Sequence, residues 1–282
     1  MKKNELRISV IVTTKNNENT IEDCLKSIKD QSLKAFELIV VDNFSSDSTL
    51  KISKEFSKKV FSMGPERSAQ RNFGVKKSGG NYVFFVDSDM VLNKHVIRDC
   101  VNLIDNNNLI KIITIPERSI GVGFWSKCKA LERSYYKNIN WMEAARFFNK
   151  KLFEKSGGFD EKLSAGEDFD LSQKISHNSH NYSSGRINSE IIHNEQQLSL
   201  TKTLKKKFYY GKFISNYQNK AHNNKLFKLQ ASPVQRYLLY FSDYRKLFSN
   251  PIVGIGMIFM KNLEFIFGGF GYMIGLLQNK LK

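Results

Sequence analysis

The sequence has few cysteines and no pattern that would pair them. Cys24, Cys100 and Cys128 are an odd number, lie far apart and form no Cys-x-x-Cys motif. Neither a disulfide framework nor a cysteine zinc site is therefore expected, and a reducing compartment fits. The amino terminus also lacks a long apolar run, because polar residues resume after positions 8–12, whereas the core of a signal peptide is longer. We expect the chain to stay on the cytoplasmic side.

Acidic residues are scarce relative to basic ones. The chain has 44 Lys and Arg against 27 Asp and Glu, a formal charge of +17. Between Ile191 and Asn250, eleven basic residues accompany only Glu195 and Asp243. Such an excess attracts nucleic acid, an anionic membrane face or phosphorylated small substrates. Because this basic stretch leads into the most apolar segment of the chain, a membrane surface is favoured over nucleic acid.

That apolar segment, 251–277, carries Lys261, Asn262 and Glu264 near its middle. As one helix it would be about 40 Å long, which exceeds the ~30 Å hydrocarbon core of a bilayer. A charge at the centre of a membrane span is also costly. We therefore predict a helical hairpin at the membrane interface, broken at Gly268-Gly269, over a single span. The alternative is a helix pair packed on the rest of the protein.

Strand and helix patterns alternate through the first hundred residues. Apolar runs predict strands at 8–14, 36–42, 58–63 and 82–86, and apolar residues at helical spacing predict helices at 19–31, 46–56 and 67–78. This order is typical of the α/β class, a mostly parallel sheet with helices on both faces. Further along, the patterns predict strands at 110–116 and 186–194 and helices at 124–141, 198–220 and 232–249.

Polar side chains follow three of the predicted strands where each strand ends. Thr13 closes the first, Asp42 the second, and Asp87 and Asp89 the fourth. Ligands of such sheets bind beyond the carboxyl ends of the strands, so these side chains are expected to line one pocket. Asp87 and Asp89 would project from the same face and repel each other unless a cation lies between them. The pattern predicts a site for Mn²⁺ or Mg²⁺ that also holds diphosphate oxygens. A solvated turn is the alternative.

Other candidate side chains have both a chemical and a structural interpretation. Arg71 would reach a phosphate or form a surface ion pair, and Asp42 would accept a hydrogen bond from a base or a ribose hydroxyl. Glu167 and Asp168 would supply a general base or simply favour a helix N-terminus. His193, at the end of a predicted strand, would complete the metal shell beside Asp89 or be structural.

Four segments together resemble family 2 glycosyltransferases over about residues 6–195: ISVIVTTKNNENTIEDCLKSI, FELIVVDNFSSDST, RSAQRNFGVKKSGGNYVFFVDSDM and GGFDEKLSAGEDFDL. The resemblance implies the GT-A fold of nucleotide-diphospho-sugar transferases and transfer with inversion at the anomeric carbon. It assigns Thr13, Asn16, Glu18 and Asp42 to the nucleoside, Arg71 to the nucleotide, Asp87 to ribose or metal, Asp89 to the metal, Asp168 to the base and Glu167 to acceptor placement.

Two departures from the family narrow the prediction. The Gln-x-x-Arg-Trp element of processive polysaccharide synthases is missing, so transfer of a single sugar is expected. The first loop reads TTKNN where many members have a proline and an aromatic residue, which leaves stacking of the base open. The tail resembles members that act on lipid-linked acceptors, and a basic, apolar end suits that substrate.

The expected organisation is a catalytic domain at 1–195 and a helical membrane-associating extension at 196–282. In the catalytic domain, the half at about 1–110 would take the nucleotide sugar, a UDP- or GDP-sugar, and the half at 111–195 the acceptor, a lipid-linked or membrane-borne saccharide. We expect a peripheral protein on the inner face of the cell membrane that binds anionic lipid and no nucleic acid.

Two other functions remain open at this point. A nucleotidyltransferase of the same fold would want a glycine-rich basic loop after the first strand, and TTKNNEN has no glycine. A basic peripheral protein that binds membranes or nucleic acid without catalysis would also account for the charge, with Asp87 and Asp89 merely ending a strand.

Overall fold

The alternation of strands and helices produces a seven-stranded sheet in the order β3-β2-β1-β4-β8-β6-β9. The computed structural model describes residues 6–177, 182–220 and 224–280. Its ten strands are β1 Ile8–Thr14, β2 Glu37–Asp42, β3 Lys59–Ser62, β4 Tyr82–Asp87, β5 Met90–Leu92, β6 Ile110–Thr114, β7 Glu117–Val122, β8 Phe147–Asn149, β9 Ser183–Arg186 and β10 Ile191–Gln197. Strands β1 to β4 run parallel and β8 is antiparallel to its neighbours. The predicted α/β class is confirmed.

The helices are α1 Ile21–Lys29, α2 Thr49–Phe56, α3 Arg67–Lys77, α4 Val96–Asn106, α5 Phe124–Ser134, α6 Lys150–Lys155, α7 Glu167–His177, α8 Leu200–Gln218, α9 Asn224–Ala231, α10 Pro233–Phe241, α11 Tyr244–Leu247 and α12 Pro251–Lys280. Apolar spacing places Ile21, Leu25 and Ile28 of α1 on one buried face, as expected.

Alternate residues of the central strands enter two apolar clusters, one on each face of the sheet. Val10 and Val12 of β1 belong to one cluster, whereas Ile11 belongs to the other. A strand buried on both faces reads as a continuous apolar run, which is why β1 and β4 could be recognised in the sequence.

Strand pairing brings the predicted polar groups together at the carboxyl edge of the sheet. In the β1/β4 register Thr13 lies opposite Asp87, and in the β1/β2 register Thr14 lies opposite Asp42. A separate three-stranded sheet has the order β5-β10-β7 and sets His193 opposite Met90, the residue after Asp89.

The chain divides by its contacts into two units. The first comprises residues up to Glu117 with Ala144–Glu161 and Asp168–His193, and the second comprises Arg118–Glu143, Lys162–Glu167 and Asn194–Lys282. One division thus lies near the predicted boundary at residue 195, and the second unit additionally takes in two internal segments.

Within the second unit, α12 packs along α8 and α5. The predicted hairpin at Gly268-Gly269 is wrong, because α12 is one continuous helix of 30 residues. Neither glycine has the positive φ that ends a helix. Packing against α8 outweighs the low helix propensity of glycine.

Three other boundaries also differ from the prediction. The expected last strand is two strands, β9 and β10, and the expected helix at 232–249 is interrupted before α11, where the Asp243 side chain caps the new helix. The helix predicted at 124–141 ends at Ser134, so it is α5 alone.

Candidate active site

Asp87, the last residue of β4, lies at the centre of a charged cluster in the first unit. Its Oδ1 accepts hydrogen bonds from Arg71 Nη2 at 2.9 Å and Thr13 Oγ1 at 3.4 Å. Its Oδ2 accepts one from Arg146 Nη1 at 3.3 Å. Both carboxylate oxygens of the strand-end aspartate are therefore held by cationic side chains.

Arg71 links this aspartate to the candidate general base. It extends from α3 with 1% of its surface exposed, and its Nη1 donates to Asp168 Oδ1 at 2.6 Å. The guanidinium carbon also lies 5.1 Å from the centre of the Phe159 ring. A planar fork that binds two carboxylates fixes both, so Asp168 in the first turn of α7 is positioned relative to Asp87.

A second arginine extends the cluster toward His193. Arg146 Nε donates to Glu117 Oε1 at 2.6 Å, and Glu117 Oε2 lies 3.7 Å from His193 Nδ1. His193 Nε2 is 3.1 Å from Asp89 Oδ2. We call the seven residues the site cluster: Asp168, Arg71, Asp87, Arg146, Glu117, His193 and Asp89.

The guanidinium groups determine the ionisation of Asp87. Burial alone would raise the pKa of Asp87, but Arg71, Arg146 and Arg67 lower it well below its usual value of 3.8. Burial would likewise lower the pKa of Arg146, and the carboxylates of Glu117 and Asp87 raise it instead. Both partners thus remain charged at neutral pH.

Asp89 has the donor atoms that a divalent cation would use. Its Oδ1 is buried and has no hydrogen-bond partner among the described residues, while its Oδ2 faces the His193 imidazole. A buried, unpaired carboxylate oxygen is costly unless something positive binds it. No group of three or more His, Cys, Asp and Glu side chains converges within the described ranges. Since Asp87 is engaged by arginines, Asp89 and His193 are the better placed of the three predicted ligands.

The residues predicted to hold the nucleoside lie around the loop after β2. Asp42 Oδ2 accepts from the Ser45 amide at 2.8 Å. Asn16 Oδ1 accepts from the Ser46 amide and Glu18 Oε2 from the Ser48 amide, each at 2.9 Å. These side chains shape the loop in the structure, and their contact with a nucleoside stays a prediction.

Glu167 and Asp168 differ in accessibility although they are neighbours at the start of α7. Glu167 is buried, whereas 27% of the Asp168 side chain is exposed. A carboxylate that acts as a general base must be reachable by the hydroxyl it deprotonates, so Asp168 meets this requirement better. The predicted role of Glu167 in placing the acceptor stays a prediction.

Sequence reasoning missed Arg146 and Glu117. Arg146 precedes the short strand β8 in the run AARFFN, and Glu117 begins β7 directly after Pro116. A charged residue at the edge of an apolar run is the signal that was present. Nothing in the sequence indicated that β8 inserts between β4 and β6, which places Arg146 next to Asp87.

The mostly parallel sheet flanked by helices is a fold of the GT-A type. The sequence profile described as glycosyl transferase family 2 matches residues 9–160. This is more than half of the chain, so the chain belongs to that family, as the motifs indicated.

Several characterised proteins are similar to it. The poly(ribitol-phosphate) β-N-acetylglucosaminyltransferase TarP of Staphylococcus aureus is 27% identical over 169 residues, covering 53% of this chain and 51% of TarP. TarS of the same species is 34% identical over 130 residues, which are 41% of this chain and 22% of TarS. The matched stretch thus spans about half or less of the length of these relatives.

Solved structures agree on the fold. TarS residues 1–349 superpose with a TM-score of 0.54 at 17% identity, covering 98% of this chain and 92% of that one. The Pyrobaculum calidifontis mannosyltransferase PcManGT, solved with GDP-mannose and Mn²⁺, gives a TM-score of 0.57 at 16% identity, covering 88% and 73%.

Proposed function

We propose that this protein transfers one sugar from a nucleotide diphospho-sugar to an acceptor hydroxyl, with inversion at the anomeric carbon. The observation that carries the proposal is the bridge by Arg71, which holds the candidate base Asp168 and the strand-end Asp87 in one cluster. Family membership and the sugar-nucleotide complexes of proteins with this fold support it.

Asp168 takes the proton from the acceptor hydroxyl in this proposal. The hydroxyl oxygen then bonds to the anomeric carbon while the bond from that carbon to the diphosphate breaks, and the electron pair leaves with the nucleoside diphosphate. Arg71 orients the Asp168 carboxylate by its 2.6 Å hydrogen bond. Thr13, Asn16, Glu18 and Asp42 are proposed to line the nucleoside end, and buried Glu167 to support acceptor placement.

Asp89 and His193 would hold a Mn²⁺ or Mg²⁺ ion, since a carboxylate and an imidazole suit Mn²⁺ and the unpaired Asp89 Oδ1 needs a positive partner. Bound there, the cation would supply Lewis-acid stabilisation of negative charge on the diphosphate. The carboxylate of Asp87 keeps the two arginines aligned beside it.

The acceptor is proposed to be a lipid-linked or membrane-borne saccharide on the inner face of the cell membrane. The names of TarP and TarS specify poly(ribitol-phosphate), a polyanion, as their acceptor. A formal charge of +17 favours an acceptor of that kind, or one carried on a phosphorylated lipid. A UDP-sugar is the first donor to test, and a GDP-sugar the second.

The experiment measures release of UDP or GDP from UDP-N-acetylglucosamine, UDP-glucose and GDP-mannose by the purified full chain, with Mn²⁺ or with EDTA. Acceptors are poly(ribitol phosphate) and undecaprenyl-diphosphate-linked saccharide. One donor is expected to turn over only with metal and acceptor. Asp168→Asn is expected to lower kcat by about 10² to 10⁴ because the proton acceptor is lost.

Asp30→Asn, on an exposed turn after α1, is the matched control and should retain full activity. Full turnover by Asp168→Asn would contradict the assignment of the base. If the protein bound a donor but released no UDP or GDP with any acceptor tested, a binding protein would be favoured over a transferase.

A further inference from the structure

Helix α12 is inverted relative to a helix on the surface of a soluble protein. Its exposed stripe recurs every three or four residues and is apolar except for one position. The stripe comprises Ile252, Ile255, Phe259, Asn262, Ile266, Phe270, Met273 and Leu277. In water, an amphipathic helix turns such side chains toward the core. We call these eight residues the outer stripe.

The opposite face of α12 buries the charged residues. Lys261 Nζ donates to Glu132 Oε1 of α5 at 2.6 Å and to Glu264 Oε2 at 3.0 Å. Glu264 Oε1 accepts from Lys129 Nζ at 2.6 Å. The only two charged residues of α12 before Lys280 are therefore neutralised inside the unit, and the outer stripe presents no charge.

Small residues make the contact between α12 and α8. A Cβ added to Gly271 would lie 2.1 Å from the Phe208 carbonyl oxygen, and one added to Gly275 would lie 2.2 Å from that of Lys212. On α8, a Cβ at Gly211 would meet the Gly268 oxygen at 2.3 Å. Backbone approach through glycine holds α12 close to α8 and leaves the large apolar side chains of the outer stripe turned outward.

The apolar surface continues onto α10. The Tyr237 hydroxyl donates to Asn262 Oδ1 at 2.9 Å, so the single polar residue of the outer stripe is paired with this helix. Val234, Leu238 and Phe241 of α10 follow helical spacing and are exposed. Of the 24 exposed large apolar residues described, 19 lie in the second unit and ten on α12, so the exposed apolar surface is concentrated there.

The net charge of the second unit favours anionic lipid over a second copy of the chain as the partner for this surface. The second unit has 20 Lys and Arg against 6 Asp and Glu, a formal charge of +14, whereas the first unit has 24 against 21, or +3. Two copies of so basic a unit repel each other, while anionic lipid attracts it. On α8, which runs alongside α12, Lys202 and Lys205 are exposed.

We infer that the outer stripe inserts into the boundary between headgroups and acyl chains of an anionic membrane, with α12 parallel to the surface. By length and composition alone Pro251–Gln278 would pass as a span. A span would carry α8 and its five lysines into hydrocarbon, where charge is strongly disfavoured, so the parallel orientation is preferred. The inference deepens the membrane location proposed above and rests on binding alone, so its failure is separable from failure of transfer.

The test uses the full chain with vesicles of equal parts phosphatidylcholine and phosphatidylglycerol, and with pure phosphatidylcholine. Association is expected with the anionic vesicles and should weaken by at least about a hundredfold in Ile255→Gln/Ile266→Gln/Phe270→Gln, because three apolar anchors are lost. Leu33→Gln/Leu109→Gln, at exposed positions of the first unit, is the matched control and should bind normally. Circular dichroism and thermal unfolding check that each variant is folded.

Replacing surface lysines tests the electrostatic part. Lys202→Ala/Lys205→Ala is expected to weaken binding to anionic vesicles by about thirtyfold at low salt, since each lysine near the surface contributes roughly a factor of five. Equal binding by the lysine variant, or equal binding by the stripe variant, overturns the inference.

Depth is read from Trp125, whose ring stacks on Phe259 with centroids 6.3 Å apart. In Trp141→Phe, Trp125 is the only tryptophan, and lipids brominated near the headgroup should quench it more than lipids brominated near the chain ends. Stronger quenching from the chain ends would overturn the parallel orientation. A dimer in lipid-free solution that the stripe variant dissociates would assign this surface to a second copy instead.

Discussion

Each unit contains a cluster of charged side chains, and the two clusters differ in how far their carboxylates are exposed. The site cluster of the first unit leaves 33% of the Asp89 side chain and 27% of Asp168 exposed. The helix cluster of the second unit, made of Lys129, Glu132, Lys207, Lys261 and Glu264, leaves only 2% of each glutamate exposed. The site cluster leaves part of these two carboxylate side chains exposed, whereas the helix cluster encloses its glutamates.

The two clusters also differ in how completely their carboxylate oxygens are paired. In the helix cluster, each oxygen of Glu132 and Glu264 meets an ammonium group. In the site cluster, Asp89 Oδ1 is buried and unpaired within the described part of the chain. A complete network fixes helices together, whereas an incomplete one is a place where a ligand can add a partner. In this protein, the unpaired Asp89 oxygen is the feature that separates the candidate site from the fully paired helix cluster.

The largest effect is expected from breaking the enclosed cluster. Glu132→Gln removes one of the two carboxylates that neutralise Lys129 and Lys261. Because buried ammonium charge is then left uncompensated, the free energy of unfolding should fall by about 3–5 kcal/mol. Urea unfolding measures the loss. Glu55→Gln, at an exposed position near the end of α2, is the control and should change stability by less than about 0.5 kcal/mol. A loss below 1 kcal/mol would show that the helix cluster does not hold the second unit together.

The site cluster should respond in activity more than in stability. Arg146→Lys keeps the positive charge but loses the planar fork that holds Asp87 and Glu117 together, so kcat is expected to fall by about tenfold. Steady-state kinetics should show the change in kcat with KM for the donor nearly constant, because Arg146 acts by positioning. Unchanged kcat, or a rise in KM alone, would place Arg146 outside the positioning of Asp87.

Local sequence patterns were enough to predict the central strands and the polar residues at their ends. Continuous apolar runs predict buried strands such as β1 and β4. Because Thr13, Asp42 and Asp87 stand at strand ends, they were predicted to be neighbours. The contact of Asp168 with this edge also agreed with the family motif. The strand and strand-end predictions needed only local pattern and the geometry of a parallel sheet, whereas the assignment of Asp168 came from the family resemblance.

Contacts that depend on distant pairing were not predictable. Arg146 reaches Asp87 because β8 is antiparallel within a mostly parallel sheet, and no local pattern specifies that insertion. For α12, average hydropathy conceals which face is apolar. Gly268 looked like a helix break in the sequence, but in the structure its carbonyl oxygen lies against Gly211 of α8. Tertiary contact reversed that local preference.

The smallest effect is a pH dependence that both clusters should share. Arg71 and Arg146 hold the pKa of Asp87 well below 3.8, against burial that would raise it. A carboxyl whose pKa is lower in the folded state adds stability above its unfolded pKa, about 3.9, and that contribution is lost as pH falls through the folded pKa.

The stability gap between the natural sequence and Asp87→Asn should therefore stay constant from about pH 8 to pH 5 and narrow below about pH 4. Glu132, whose pKa is also held low by Lys129 and Lys261, should give the same sign with Glu132→Gln. Denaturant unfolding at a series of pH values measures both gaps. A gap for Asp87→Asn that widens in acid would mean that the arginines do not govern this carboxyl, and the proposed order of the site cluster would need revision.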